Sequence, residues 1–147
     1  MWQVVGTPID AERFEPFRPL QLLNYYDGPR IFTVRDAEGS LCLACWSDDD
    51  ERQSRFLVAP ITQHVVTELE AGLVSLREAL AQPRLWVVDL NHEGPVAAAW
   101  SVAPNSIPED AQPQPGTMLR RSLTPSRSLQ IEGGPTETVQ QTTSKRL

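Results

Sequence analysis

The sequence predicts an α+β domain: an antiparallel meander sheet of about five or six strands, with two short helices inserted between the fourth and fifth strands. Three observations predict it. Apolar runs of strand length recur along the chain, with turn-forming dipeptides between them. Two helix starts, at Thr62 and Ser75, carry side chains suited to capping. In two of the runs apolar residues fall on both alternating faces, the pattern of a sheet covered on each side.

Residues 1–17 form an N-terminal segment with no clear period, interrupted by Pro8 and Pro16. Residues 20–26 (LQLLNYY) read as the first strand, and Asp27-Gly28 supplies a dipeptide that favours positive φ in hairpin turns. Residues 30–35 (RIFTVR) return as the second strand. The turn at 36–40 has Gly39 for its left-handed position, and 41–46 (LCLACW) is the third strand. Residues 47–54 (SDDDERQS) are too polar to bury and read as a loop. Residues 55–59 (RFLVA) are the fourth strand.

Thr62 is placed as an N-cap, with Ile61 before it positioned to staple onto Val66. Val65, Val66 and Leu69 make a short apolar stripe, and Gly72 ends that helix. Ser75-Leu76-Arg77-Glu78 fits the capping box of a second helix, with Leu76, Ala79 and Leu80 inward and Pro83 limiting its length. Residues 84–90 (RLWVVDL) are the fifth strand, the turn at 91–94 follows, and 96–102 is a sixth. The folded domain therefore spans 18–102. Two short helices cover one face only. The other requires cover from the N-terminal segment through Phe14 and Phe17, from curling of the sheet, or from another protein.

Residues 103–147 hold six of the 13 prolines and no aromatic residue, and their leucines are isolated. Such a stretch buries too little area to offset its ordering entropy, so the expectation is a disordered tail. Charge divides the same way. The first 102 residues carry 15 acids and eight bases, net −7, whereas 103–147 carry four acids and five bases, net +1. An acidic folded part repels phosphate backbones, and Arg120, Arg121 and Arg127 are too few to reverse that, so nucleic acid is not the expected partner. No apolar run reaches the ~20 residues of a membrane span, and Met1 to Pro8 lacks the basic and apolar regions of a secretory leader, which points to the cytoplasm. Twelve of the 13 basic residues are arginine, a bias expected of a GC-rich bacterial genome.

Chemistry-bearing motifs are sparse. Cys42 and Cys45 are spaced C-x-x-C, but on a strand positions three apart point to opposite faces, so the pair reads as two buried apolar residues. The run Asp48-Asp49-Asp50-Glu51 fails as an EF-hand, whose sixth and twelfth positions would here be Gln53 and Ala59. His64 and His92 are too few for a metal cluster, and no phosphate loop, nucleophile elbow or dinucleotide motif is present. No catalytic, cofactor-binding or metal-ligating residue is therefore assigned. His92, with Asp89 or Glu93 to orient it, is the weak polar alternative. The aromatic residues Tyr25, Tyr26, Trp46, Trp86 and Trp100 are the candidate interaction surface.

The runs Tyr25-Tyr26-Asp27-Gly28-Pro29, Gly39-Ser40-Leu41-Cys42-Leu43-Ala44-Cys45-Trp46 and Ser75-Leu76-Arg77-Glu78-Ala79 resemble a small bacterial domain family of unknown function. Its pattern is a D-G-P hairpin, a G-x-L-x-L-x-x-W strand and an S-L-R-E-A helix, over roughly residues 18–90. The resemblance implies a fold and a bacterial source, and no activity. Together these readings point to a non-enzymatic interaction or accessory-subunit module whose partner is another protein or a second copy. The alternative is a small enzyme or ligand-sensing domain using the 89–93 turn and the 47–54 acidic loop.

Overall fold

A computed structural model describes residues 1–25 and 28–119. Its strands are β1 (Thr7–Ile9), β2 (Gln21–Tyr25), β3 (Pro29–Arg35), β4 (Leu41–Asp49), β5 (Gln53–Pro60), β6 (Leu85–Asn91) and β7 (Val96–Val102). Helices α1 (Gln63–Glu70) and α2 (Leu76–Ala79) lie between β5 and β6. All seven strands form one antiparallel sheet, in the order β1-β7-β6-β5-β4-β3-β2. The meander is as expected. The strand count is not: Thr7 and Ile9 pair with Ser101 and Ala99, so the N-terminal segment adds a strand at the far edge. That strand also corrects the placement of the helices, which follow the fifth strand rather than the fourth.

Both helix starts form as their side chains dictate. The Val65 amide donates to Thr62 Oγ1 at 3.2 Å, satisfying one of the donors left unpaired at a helix start. The capping box closes from both ends: the Glu78 amide donates to Ser75 Oγ at 3.1 Å and the Ser75 amide to Glu78 Oε1 at 2.8 Å.

The sheet has two cores, one on each face. On the helical face Leu43, Cys45, Leu57, Ala59, Leu85 and Val87 pack against Val66, Leu69, Leu76, Ala79 and Leu80. On the aromatic face Phe32, Phe56, Val58, Trp86 and Val88 are roofed by Phe14 and Phe17 from the segment that crosses from β1 to β2. Phe17 lies 5.7 Å from Phe32 and 5.4 Å from Phe56, and Phe14 lies 5.6 Å from Trp86, ring centre to ring centre. The cover for the second face thus comes from residues 1–17, which belong to the domain. Burying each such ring contributes about 2–3 kcal/mol towards offsetting the ordering of a segment with little secondary structure.

Three further hydrogen bonds pin this crossing. The Val96 amide donates to Glu15 Oε2 at 2.6 Å, and the Ala37 amide to the Arg13 carbonyl at 2.6 Å. Arg13 Nη2 reaches Asp36 Oδ2 at 3.4 Å, while its guanidinium sits 5.0 Å over the Trp86 ring. At Gly6 the chain passes so close to β7 that a Cβ would lie 2.5 Å from the Ser101 carbonyl oxygen and 2.6 Å from Val102 Cγ1.

Two more boundaries change. The loop expected at 47–54 is shorter, because Asp48 pairs with Arg55 and Asp49 with Ser54 in the β4–β5 ladder. Residues 103–119 are not a tail. They make short 3-10 turns at Pro104–Ser106 and Glu109–Ala111, and Ile107 and Ala111 join the helical-face core. The Leu76 amide donates to the Thr117 carbonyl at 2.9 Å, and Arg77 grips both Glu109 carboxylate oxygens at 2.8 and 3.0 Å. A few anchors hold this stretch where apolar density is low. The rest of the expected tail, with Arg120, Arg121 and Arg127, lies outside the described residues.

Candidate functional site

Strand parity separates the residues of the weak polar alternative. Asp89 shares the helical face with Val87, and both its oxygens are taken by Arg55: Nε and Nη2 each donate at 2.7 Å. His92, three positions on, stands on the aromatic side beside Phe56 and Leu90, exposed, with Nε2 3.0 Å from Ser54 Oγ. Glu93 is exposed on the turn, its amide donating to Asn91 Oδ1 at 2.8 Å. Neither carboxylate meets the imidazole, so the expected acid–base arrangement does not form.

What Arg55 and Asp89 build is an anchor for the chain start. The guanidinium lies 4.8 Å from the Trp2 ring and 5.6 Å from the Trp100 ring, and Nη1 donates to the Trp2 carbonyl. The Trp2 indole N–H donates to Ser47 Oγ at 3.1 Å, and that hydroxyl donates to the Ala111 carbonyl at 2.8 Å. Ser47 is the residue skipped by the register shift between Trp46 and Asp48, and it bridges the N-terminal and C-terminal segments.

The aromatic candidates fall in different places. Trp86 is buried under Phe14 and Arg13, which removes it from the surface. Trp100 is half-buried on Arg55, and Tyr26 lies outside the described residues. Tyr25 is 50% exposed and Trp46 36%. Sequence reasoning missed their apolar neighbours Leu20 and Leu22, which are 57% and 43% exposed at edge strand β2. It also missed Arg30, whose guanidinium stacks 4.3 Å over the Trp46 ring. The alternation of β2, with Leu22 exposed and Leu23 buried, was the available signal for the leucines. Arg30 and Trp46 are juxtaposed only by strand pairing, which no local pattern reveals.

Two clefts meet at this stacked pair. One, of about 490 Å³, lies between the strand ends and residues 110–117, and is lined by Asn24, Ile31, Cys45, Ser47 and Leu76 as well as Arg30 and Trp46. The other, of about 370 Å³, opens on the aromatic face.

The cysteines sit as strand parity requires, Cys42 in the aromatic-face core and Cys45 in the helical-face core. Burial pushes the Cys42 thiol up to about 11, with the nearby Asp36 carboxylate adding to it, and pushes Cys45 up to about 12. Neither is a nucleophile at neutral pH. Among the described residues no three His, Cys, Asp or Glu side chains are grouped to hold a metal ion. In the acidic turn the Arg52 and Gln53 amides donate to Asp50 and hold its carboxyl below the usual range, so its charge serves the turn.

An antiparallel sheet with a different cover on each face defines the class: a small α+β domain. The chain belongs to the family of unknown function DUF6575, whose model matches residues 17–114. That match meets the expectation of an uncharacterised domain family and takes in the turns at 104–111. Neither a curated protein nor a solved structure matches the chain. No helix among the described residues is long and apolar enough to cross a membrane.

Proposed function

We propose that this protein is a non-enzymatic interaction module, an accessory component of a bacterial cytosolic system, that pairs with a second copy of itself along β2. The observation that carries this reading is the exposure of the apolar residues Leu20, Leu22 and Tyr25 at β2, a strand that among the described residues pairs with β3 only. An open edge offers a row of backbone donors and acceptors to another strand. The opposite edge does not compete, because β1 is three residues long and Pro8 has no N–H to give.

Charge at the edge itself does not oppose a second copy. The chain carries −6 overall, which repels another copy, yet Gln21–Tyr25 contains no charged residue. Antiparallel pairing centred on Leu22 would set Leu22 beside its twin and Leu20 close to both, a self-complementary apolar seam. The arginine bias of the chain supports the bacterial source.

The test is the oligomeric state by size exclusion with light scattering. The full chain should run at twice its 16.4 kDa, and the Leu22→Lys variant as a monomer with an unchanged melting temperature. A wild-type chain that stays monomeric as concentration rises, or a Leu22→Lys variant that stays dimeric, overturns the reading.

A further inference from the structure

We propose that residues 103–119 form a lid on the helical face that opens as one unit, latched shut by the ion pair of Arg77 with Glu109. The inference is independent of pairing along β2, since the anchors of this stretch lie on β4, on α2 and at Val5. The stretch contains Pro104, Pro108, Pro113 and Pro115, which have no N–H to give, and its buried side chains are Ile107 and Ala111. Its turns close on themselves. The Ile107 amide donates to the Pro104 carbonyl, Ala111 to Pro108 and Thr117 to Gln114, and these bonds survive when the stretch lifts. The bonds to the body are polar: Ser47 Oγ to the Ala111 carbonyl at 2.8 Å, the Leu76 amide to the Thr117 carbonyl at 2.9 Å, and Ser106 Oγ to the Val5 carbonyl at 3.2 Å. Arg77 adds three more, two to the Glu109 carboxylate and one to the Pro113 carbonyl at 3.0 Å. So small an apolar contact marks a stretch that opens at a free energy well below that of the whole domain.

Clefts undercut the stretch along both margins. One is the cleft of about 490 Å³, lined here by Cys45, Leu76, Ala111 and Thr117. A third cleft, of about 480 Å³, is lined by Leu80, Leu85, Ile107 and Glu109. Gln112 lines both, so lifting this residue and its neighbours joins the two into one trough over α2, floored by the buried Leu76, Leu80 and Leu85. The latch sits where solvent reaches it. The Glu109 side chain is 68% exposed and that of Arg77 28%, so dissolved salt screens their attraction.

Hydrogen exchange and thiol labelling of the full chain, at urea concentrations below its unfolding transition, test the lid. Leu76 is the first residue of α2, so its amide has no partner within the helix and is held by the Thr117 carbonyl. Cys45 lines the cleft beside Ala111, and in a Cys42→Ala background iodoacetamide reads it separately. Both reporters should open more often than the amides of β5 and β6, with little dependence on urea, because lifting the lid exposes little surface. Arg77→Ala should speed both by about tenfold, and Glu109→Gln by about threefold. Sodium chloride at about 1 M should speed both about twofold in the wild-type chain and leave the Glu109→Gln rates unchanged. Reporters that follow the urea dependence of the β5 and β6 amides would mean that nothing opens short of unfolding, which overturns the lid. Unequal responses of Leu76 and Cys45 to Arg77→Ala overturn the single unit. Unchanged rates in both variants, or a salt effect undiminished in Glu109→Gln, overturn the latch.

Discussion

Replacing Asp89 with alanine should lower the stability of this fold by about 3–5 kcal/mol, although Asp89 touches neither cleft. Its carboxylate and the Arg55 guanidinium are 3% and 7% exposed and share two hydrogen bonds of 2.7 Å. Without Asp89 the guanidinium keeps the Trp2 carbonyl and two indole faces, but stays buried with its charge uncompensated. Each charge-assisted bond contributes about 1.5–3 kcal/mol, so losing both gives about 3–6 kcal/mol, an overlapping range from a different starting point. Urea unfolding, followed by tryptophan fluorescence, measures it; in thermal melts a loss of this size is roughly 12–20 °C. The double variant Arg55→Met, Asp89→Val removes both charges and should recover at least half of the loss, because apolar residues in place of a buried pair are often neutral. A single-variant loss below about 1 kcal/mol, or a double variant as unstable as the single, would show that the charge is not the cause.

Three other perturbations test the packing. Phe14→Ala removes the fully buried ring over Trp86 and should cost about 3–5 kcal/mol by equilibrium denaturation; a loss under 1 kcal/mol would mean the N-terminal crossing does not roof this face. Gly6→Ala places a methyl against the Ser101 carbonyl and Val102, so β1 should detach; faster hydrogen exchange at Ile9 and Ala99 reports it, and unchanged protection contradicts the close approach. The buried thiols bear on pH. Both have folded pKa values above the ordinary 9.0, near 11 and 12, so above pH 9 the unfolded state releases protons that the folded state retains. Stability from these groups is complete below pH 9 and falls as pH rises towards 12. Cys45→Ala should flatten that alkaline decline in a pH series of urea melts, and an unchanged slope refutes the assignment.

Legibility in the sequence followed the range of each interaction. The caps at Thr62 and Ser75 are local, and both formed as their side chains dictate. Strand parity is local too, and it placed Cys42 and Cys45 on opposite faces. By contrast β1 is three residues with a proline, too short to show alternation, and exists because β7 offers it an edge. Arg55 and Asp89 are register partners on adjacent strands, so their pairing is invisible until the register is known. Trp86 reads as a surface aromatic until Phe14, far away in sequence, is placed over it. The stretch after Val102 lacks apolar density, and the family match to residue 114 together with the buried Ile107 and Ala111 shows how few contacts are enough.

The crossing from β1 to β2 also sets an order of assembly. Ile9 finds its ladder partner at Ala99, and Phe14 its floor at Trp86, so the first strand of the sheet waits on the synthesis of the seventh. Strands β2 to β5 can pair by successive hairpins as they emerge, whereas closing the loop from β1 to β7 carries the entropy of almost the whole domain. A chain cut before Val96 would keep most of its sheet yet leave β1 with nothing to pair against. The N-terminal strand therefore acts as a completeness check, docking only when everything up to β7 has been made.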